Sequence, residues 1–438
     1  MKGIRTIAVG ALARVEGEGA LRVRIRDGAV EIVEFNIYEP PRFFEKLVVG
    51  RSFTEVPDIV ARICGICPVA YQMTACRALE RALGTEVSPG VRALRRLLYH
   101  GEWIQSHALH VHLLHLPDFL GFESGFTMAA THPALVESGF RMKALGNRIM
   151  EVVGGRAVHP VNVAVGGFHA WPDPAAVRGL VPDLERGLAD ALVLVERTGA
   201  LDFPPFPATE AAVEAVCLRP ASGYPLDEGR IVSTDSLDIE AADFPIWFQE
   251  SQVPWSTALH CLRMPAATPY LVGPLARLIH CRDRLPPLAA AAADRAGFGR
   301  GETSPFRAII ARAIEIAAAF EGALAIAREW ETPPVAPRVE VRPRESAAAA
   351  ATEAPRGLLW HRYALDSDGR VTAGTIIPPT SQNQARLEAD LRAFLPGVLA
   401  ADDAEVTLRC EQLVRGYDPC ISCATHFLNV SLDRGGDR

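Results

Sequence analysis

Two Cys-x-x-Cys pairs constrain this chain more than any other feature. "RICGIC" places Cys64 and Cys67 near one end, and "DPCISCATH" places Cys420 and Cys423 almost at the other. Each pair lets two thiolates grip one metal from a tight turn or helix start, where backbone amides help to keep sulfur deprotonated. If the pairs meet, the chain must close on itself and bury both ends in one body. Four thiolates suit structural zinc, an iron–sulfur cluster or a softer redox metal such as nickel, and spacing alone does not choose among them. A thioredoxin-like dithiol needs one pair in a βαβ setting, which is missing here.

Flanking charges shift the balance. Arg62 precedes the first pair, Asp418 precedes the second, and His426 follows Cys423 by three residues. A zinc staple sits in a small local module and has little use for charged groups aimed at it. Proton handling does. The remaining composition is permissive: 438 residues, 49% hydrophobic, give ample material for a large core. The formal charge of -7 is mild and unclustered, which argues against nucleic acid or an anionic membrane as the main partner. No apolar run approaches the ~20 residues of a membrane span, and the N-terminus lacks a secretory cleavage pattern. Nine cysteines without a disulfide framework suit a reducing compartment, so the expected location is cytoplasmic.

The fold class expected is mainly α with smaller β elements (α+β). "LRVRIRDGAVEIVEFNI" alternates around Asp27-Gly28 as a β-hairpin. Helical periodicity follows: Leu94, Leu97, Leu98, Trp103 and Ile104 share a face, with Ser88-Pro89 as the start. Further helices are expected through 132–155 and 307–331, with β structure returning only towards the end. Residues 201–210 and 333–357 read as surface connections rich in proline. The chain is expected to form one body over 1–426, followed by a short extension, 427–438.

Several ordered motifs accompany the cysteine pairs: "ARVEGEG" at 13–19, "PRFFE" at 41–45, "SHALHVHLLHLPD" at 106–118, "EAPRG" at 353–357 and "IIPPTSQN" at 376–383. In this order and separation they resemble the large subunits of nickel–iron hydrogenases. "EPPRFFE" and "DPCISCATH" are most similar to the cytoplasmic, NAD(P)-coupled soluble hydrogenases, or sulfhydrogenases. The resemblance implies a large-subunit fold with a central long-helix bundle. It also implies reversible oxidation of dihydrogen at a nickel–iron centre whose iron carries CO and CN ligands.

By resemblance, Cys64 and Cys420 are terminal nickel ligands, and Cys67 and Cys423 bridge nickel and iron. Glu16 matches the proton-transfer glutamate, and Arg356 matches the arginine above the open coordination position. Asp118 and Asp418 are expected to hold that arginine. Thr380 matches the hydroxyl that donates to a diatomic ligand on iron. Glu45, the carbonyl of Ile376 and His426 match a magnesium site.

The histidines of "HALHVHLLH" match packing and proton-routing positions rather than ligands. Tyr71 stands where many relatives carry histidine, and Cys76, Cys217, Cys261, Cys281 and Cys410 read as ordinary buried thiols. Electrons are expected to leave through an iron–sulfur small subunit towards further subunits carrying flavin, iron–sulfur clusters and NAD(P). A maturation endopeptidase is expected to remove 427–438 after His426. The alternatives are a related subunit coupled to a heterodisulfide reductase, a hydrogen sensor and a non-catalytic coupling subunit.

Overall fold

The computed structural model describes residues 4–207 and 212–425. Its N-terminal strands Ile4–Val9, Gly19–Arg26 and Ala29–Ile37 form an antiparallel sheet in sequential order. The expected hairpin is its second half. Asp27 and Gly28 both take positive φ, 50° and 84°, the geometry that a two-residue primed turn requires.

The centre is a bundle of long helices. Pro89–Leu109 packs against Pro133–Gly154 and Ala308–Glu329, and the last of these packs against Val181–Gly199. Ser88 caps its helix as expected, its side chain accepting from the Val91 N–H at 3.3 Å. Two glycines set the tightest crossing. A Cβ on Gly146 would lie 2.5 Å from the Gly101 carbonyl oxygen, so the two backbones touch where no side chain fits.

A second antiparallel sheet, Ser346–Ala354, Gly357–Leu365 and Val371–Ile377, lies under the helix Pro68–Leu83. Here the reading of 333–357 as a surface connection is corrected. "SAAAAATEA" is a strand paired with Gly357–Leu365 over its whole length, from Ser346↔Leu365 to Ala354↔Gly357. Ala350 and Ala354 join the main core while Ala349 and Ala351 pack into a second apolar cluster, so the strand is buried on both faces. Alanine favours helix intrinsically, but small side chains let a helix settle closely on a sheet, and that packing wins.

The middle of the chain also holds strands that its pattern did not announce: Val216–Arg219, Arg230–Ser233 and Asp238–Ile239 in one sheet, and Phe248–Ser251 paired with His260–Arg263. Runs of two to four residues are too short for an alternation to register. One apolar core extends from Ile7 to Ala424, and it includes all four motif cysteines. Among the described residues, no helix is long and apolar enough to cross a membrane.

Candidate metal centre

The two cysteine pairs meet. The four sulfurs all lie within 4.8 Å of one another and are buried. Cys64 Sγ is 3.5 Å from Cys420 Sγ, and Cys67 Sγ is 3.8 Å from Cys423 Sγ. Thiolates sharing an ion at a metal–sulfur distance of ~2.3 Å stand about 3.8 Å apart in a tetrahedron, so the donor set fits metal.

Local structure builds this cluster from both ends. Cys64 follows a single 3₁₀ turn, Ala61–Ile63, in extended conformation, and Cys67 immediately precedes the helix Pro68–Leu83. Cys64 Sγ accepts from the N–H groups of Ile66 at 3.3 Å and Cys67 at 3.2 Å. At the other end, Asp418 adopts a left-handed conformation (φ 53°) after the helix Asp403–Tyr417, which turns Cys420 back towards the core.

Burial pushes the thiols of Cys67 and Cys420 well above their ordinary range, and raises Cys423 too. Burial opposes ionisation of Cys64 as well, yet hydrogen bonds from the other three cysteines and the charge of Arg356 hold it well below the usual thiol value.

Glu16 arrives on the N-terminal sheet's connecting loop. Its backbone carbonyl accepts from the Ile421 N–H at 3.0 Å, in a parallel bridge with Cys420, and its Oε2 accepts from the Ser422 N–H at 3.1 Å. Gly17 makes this approach possible: φ is 87°, and a Cβ there would lie 2.7 Å from both Ile421 Cβ and Glu39 Oε2. Burial and then the nearby Cys64 raise the Glu16 carboxyl above its usual range. Ser422 Oγ donates in turn to Glu39 Oε2 at 2.9 Å, so a second carboxylate stands next in line. Glu18 is exposed.

Arg356 is buried in the turn between the strands Ser346–Ala354 and Gly357–Leu365. Burial would lower its pKa, but Asp418 and the cysteines hold the guanidinium charged. Its Nε donates to the Asp418 carbonyl at 2.9 Å and its Nη2 to Asp418 Oδ1 at 3.1 Å, while Nη1 has no hydrogen-bond partner among the described residues. Thr380 Oγ1 accepts from the Cys420 N–H at 3.0 Å, which leaves its own O–H to donate elsewhere. Glu45 Oε1 accepts from the Ile376 N–H at 2.7 Å, bringing those two expected partners together. His426 and the extension 427–438 lie outside the described residues.

Asp118 departs from expectation. It does not hold Arg356; it accepts from Arg14 and, at 3.0 and 3.1 Å, from Arg415. Arg415 also donates to the Ala13 carbonyl, so this aspartate fastens the loop leading to Glu16 onto the helix Asp403–Tyr417. The histidines are spread by a π-helical turn over His110–His115. His110, His112 and His115 each bond a backbone carbonyl, at 2.7, 3.1 and 3.1 Å, burial favours their neutral form, and none belongs to the candidate metal group found among the described residues.

Two residues escaped the sequence reading. Arg42 donates through Nη2 to the carbonyls of Ile63 and Ser422, and its N–H donates to Thr425 O at 2.6 Å, clamping the two cysteine loops together. Glu102, fully buried, accepts from the N–H groups of Val69 and Ala70 at 2.6 and 3.0 Å and so caps the helix behind Cys67. A carboxylate inside the apolar stripe of "GEWIQSH" was the available signal for Glu102. Tyr71 is buried beside the cluster, with its hydroxyl unpartnered among the described residues and its ring 5.7 Å from that of His361.

A buried cluster of four cysteine sulfurs with a charged guanidinium and a protonatable carboxyl close by has the make-up of a metalloenzyme centre. A family model described as nickel-dependent hydrogenase matches residues 42–138. Sulfhydrogenase 1 subunit alpha of Pyrococcus furiosus is 32% identical over 431 residues, covering 97% of this chain and 98% of its own length. Sulfhydrogenase 2 subunit alpha of the same organism is also 32% identical, covering 97% and 100%. A crystal structure of an NAD+-reducing [NiFe]-hydrogenase in the H2-reduced state superposes with a TM-score of 0.85 at 28% identity, covering 96% of this chain and 99% of that one. The chain belongs to the nickel-dependent hydrogenase family, as a large subunit.

Proposed function

We propose that this chain carries the nickel–iron centre of a hydrogenase that couples dihydrogen oxidation to NAD(P). The observation that carries this reading is that Glu16 and Arg356 both stand close to the four-cysteine cluster, Glu16 in a bridge with Cys420 and Arg356 held by Asp418, two residues before Cys420. Cys64 and Cys420, whose sulfurs stand together, and Cys67 and Cys423, likewise paired, would hold the centre, the first two as ligands of nickel alone and the second two as ligands shared with iron. The bound centre supplies the redox and Lewis-acid chemistry that polarises dihydrogen.

The protein's own part is proton placement. Glu16 is the protonatable carboxyl beside the cysteines: burial and the nearby Cys64 raise it above its usual range, which favours its holding a proton taken from the cluster. Ser422 ties Glu16 to a second carboxylate, its N–H donating to Glu16 and its hydroxyl to Glu39, which stands as the next carboxylate outward. Arg356 contributes a fixed charge, and its unpartnered Nη1 is free to point a hydrogen bond into the site. Thr380 donates its free O–H to a CO or CN ligand on iron. Glu45, Ile376 and His426 hold magnesium, a reading supported by the Glu45–Ile376 contact and by the bond from Arg42 to Thr425, the residue before His426.

Electrons leave through an iron–sulfur small subunit to partners carrying flavin and NAD(P), in the cytoplasm. An endopeptidase removes 427–438 once nickel is bound, leaving one body of 1–426. Anaerobic purification of the native complex tests these points together. One nickel per large subunit, iron in excess of nickel because the partners' clusters add to the iron of the centre, hydrogen-dependent NADP or NAD reduction and an intact mass ending at His426 are expected. Zinc in place of nickel would reject the centre, and an active enzyme retaining Arg438 would reject the processing.

A further inference from the structure

We propose that Arg277 is a positioning residue for Arg356, setting where the active-site guanidinium stands by gripping the three residues before it. The proposal rests on the role given to Arg356 above.

Arg277 is fully buried in the helix Pro274–Cys281 and uses its whole donor fork. Nε and Nη2 donate to the two oxygens of Glu315, both at 2.7 Å. Nη1 donates to Glu353 Oε2 at 2.8 Å and to the Ala354 carbonyl at 3.0 Å, and Nη2 donates to the Pro355 carbonyl at 2.9 Å. The guanidinium carbon sits 4.4 Å from the ring centroid of Trp103, whose Nε1 donates to the Glu353 carbonyl at 3.1 Å. The carbonyls of 353, 354 and 355 are therefore all held by Arg277 and the ring beneath it. On the far side, the Arg356 carbonyl oxygen rests against Gly273, where a Cβ would lie only 2.7 Å away. Gly273 opens the same helix that carries Arg277. The turn bearing Arg356 is gripped from both sides by one short helix.

The carboxylates that anchor Arg277 are themselves anchored. Glu315 accepts from Tyr224 Oη at 2.8 Å and has His107 Nε2 at 3.1 Å, and Glu353 Oε1 accepts from the Leu218 N–H at 2.7 Å. Among the described residues no member of this unit hydrogen-bonds Asp418 or a motif cysteine, so its hydrogen-bonded link towards the centre is the Arg356 turn. Arg356 needs that help: Asp418 fixes one edge of its guanidinium and leaves Nη1 unheld. A lysine at 277 would keep the positive charge but lose the planar fork that spans two carboxylates and two carbonyls.

The test is a double-mutant cycle in the assembled holoenzyme, with hydrogen-dependent reduction of an artificial dye as the activity. Arg277→Lys should lower kcat by roughly tenfold or more, as a misplaced catalytic group does, with nickel content unchanged. In an Arg356→Lys background the same change should cost less than about twofold, because the residue it positions is already altered. Hydrogen exchange supplies a readout independent of turnover: the amides of 354–358 should exchange faster in Arg277→Lys while those of 371–377 stay as in the wild type. Should Arg277→Lys fail to accumulate, Glu353→Gln, which removes one anchor and keeps the shape, enters the same cycle. Equal fold-losses in both backgrounds, or unchanged exchange at 354–358, would overturn the proposal. Absence of nickel from the wild-type protein would instead remove the reading of the centre on which it rests.

Discussion

Asp418 holds Arg356 twice, through its backbone carbonyl at 2.9 Å and its carboxylate Oδ1 at 3.1 Å. Both side chains are buried, and Arg312 Nε stands 3.9 Å from the other carboxylate oxygen. The same residue turns the chain into the second cysteine pair by adopting a left-handed conformation. One residue thus sets both the arginine and the approach of Cys420, which separates two kinds of substitution.

Asparagine tolerates the left-handed conformation, so Asp418→Asn keeps the turn and removes only charge. It leaves two buried arginines without their anion. Breaking one side of a buried pair costs on the order of 3 kcal/mol. Calorimetry should show a lowered Tm for Asp418→Asn, and hydrogen uptake should fall at least roughly tenfold at unchanged nickel content. A variant equal to wild type in both would mean that the aspartate serves only the turn.

Glu16→Gln preserves the size of the side chain and an acceptor for the Ser422 N–H while removing the exchangeable proton. Loss of a positioned general base costs about 10²- to 10⁴-fold. Hydrogen-dependent dye reduction should fall within that range, with metal content and Tm close to wild type. Activity within a factor of about two of wild type would place the proton route elsewhere.

What was legible in the sequence, and what was not, follows from how each residue acts. The four cysteines, Glu16, Arg356 and Asp418 lie within short motifs whose residue types carry chemistry, and the structure brings them together. Asp118 also lies in a motif, but three arginines compete for such a carboxylate, and the choice of Arg14 and Arg415 over Arg356 belongs to tertiary packing. Arg42 acts on backbone carbonyls, which leave no side-chain pattern to read, and Glu102, which caps a helix through backbone N–H groups, showed only as a carboxylate within an apolar stripe. The strand "SAAAAATEA" was hidden by its composition, because what makes it a strand is a partner in sequence beyond Arg356 and burial on two faces.

The Gly101–Gly146 crossing sets helix propensity against packing. In a free helix, alanine is better than glycine by about 1 kcal/mol. Here the new methyl carbon of Gly146→Ala would meet Gly101 O at 2.5 Å, Gln105 N at 2.7 Å and Gln105 Cβ at 2.8 Å, two of them backbone atoms that cannot swing away. Overpacking costs typically ~1–3 kcal/mol and should outweigh the propensity gain. Gly146→Ala should therefore lower Tm, whereas Gly397→Ala, with open space around its Cβ, should not.

Glu388 gives the protein a dependence on pH that is remote from the metal. Its Oε1 accepts from both the Phe35 N–H and Trp255 Nε1, each at 2.8 Å. Burial nevertheless dominates over these donors and pushes its pKa up to about 7. The unfolded chain titrates this carboxyl near the ordinary glutamate value of 4.5. Because the folded pKa is the higher one, the group's contribution is fully present below the unfolded value and is lost as pH rises through about 7. A shift of this size is worth roughly 3 kcal/mol between pH 4 and pH 8. Glu388→Gln keeps an Oε1 that accepts both donors and cannot ionise. Its Tm should match the wild type near pH 5 and exceed it at pH 8, measured by calorimetry at one scan rate. A variant whose Tm runs parallel to wild type across that range would show that Glu388 is already charged in the folded protein.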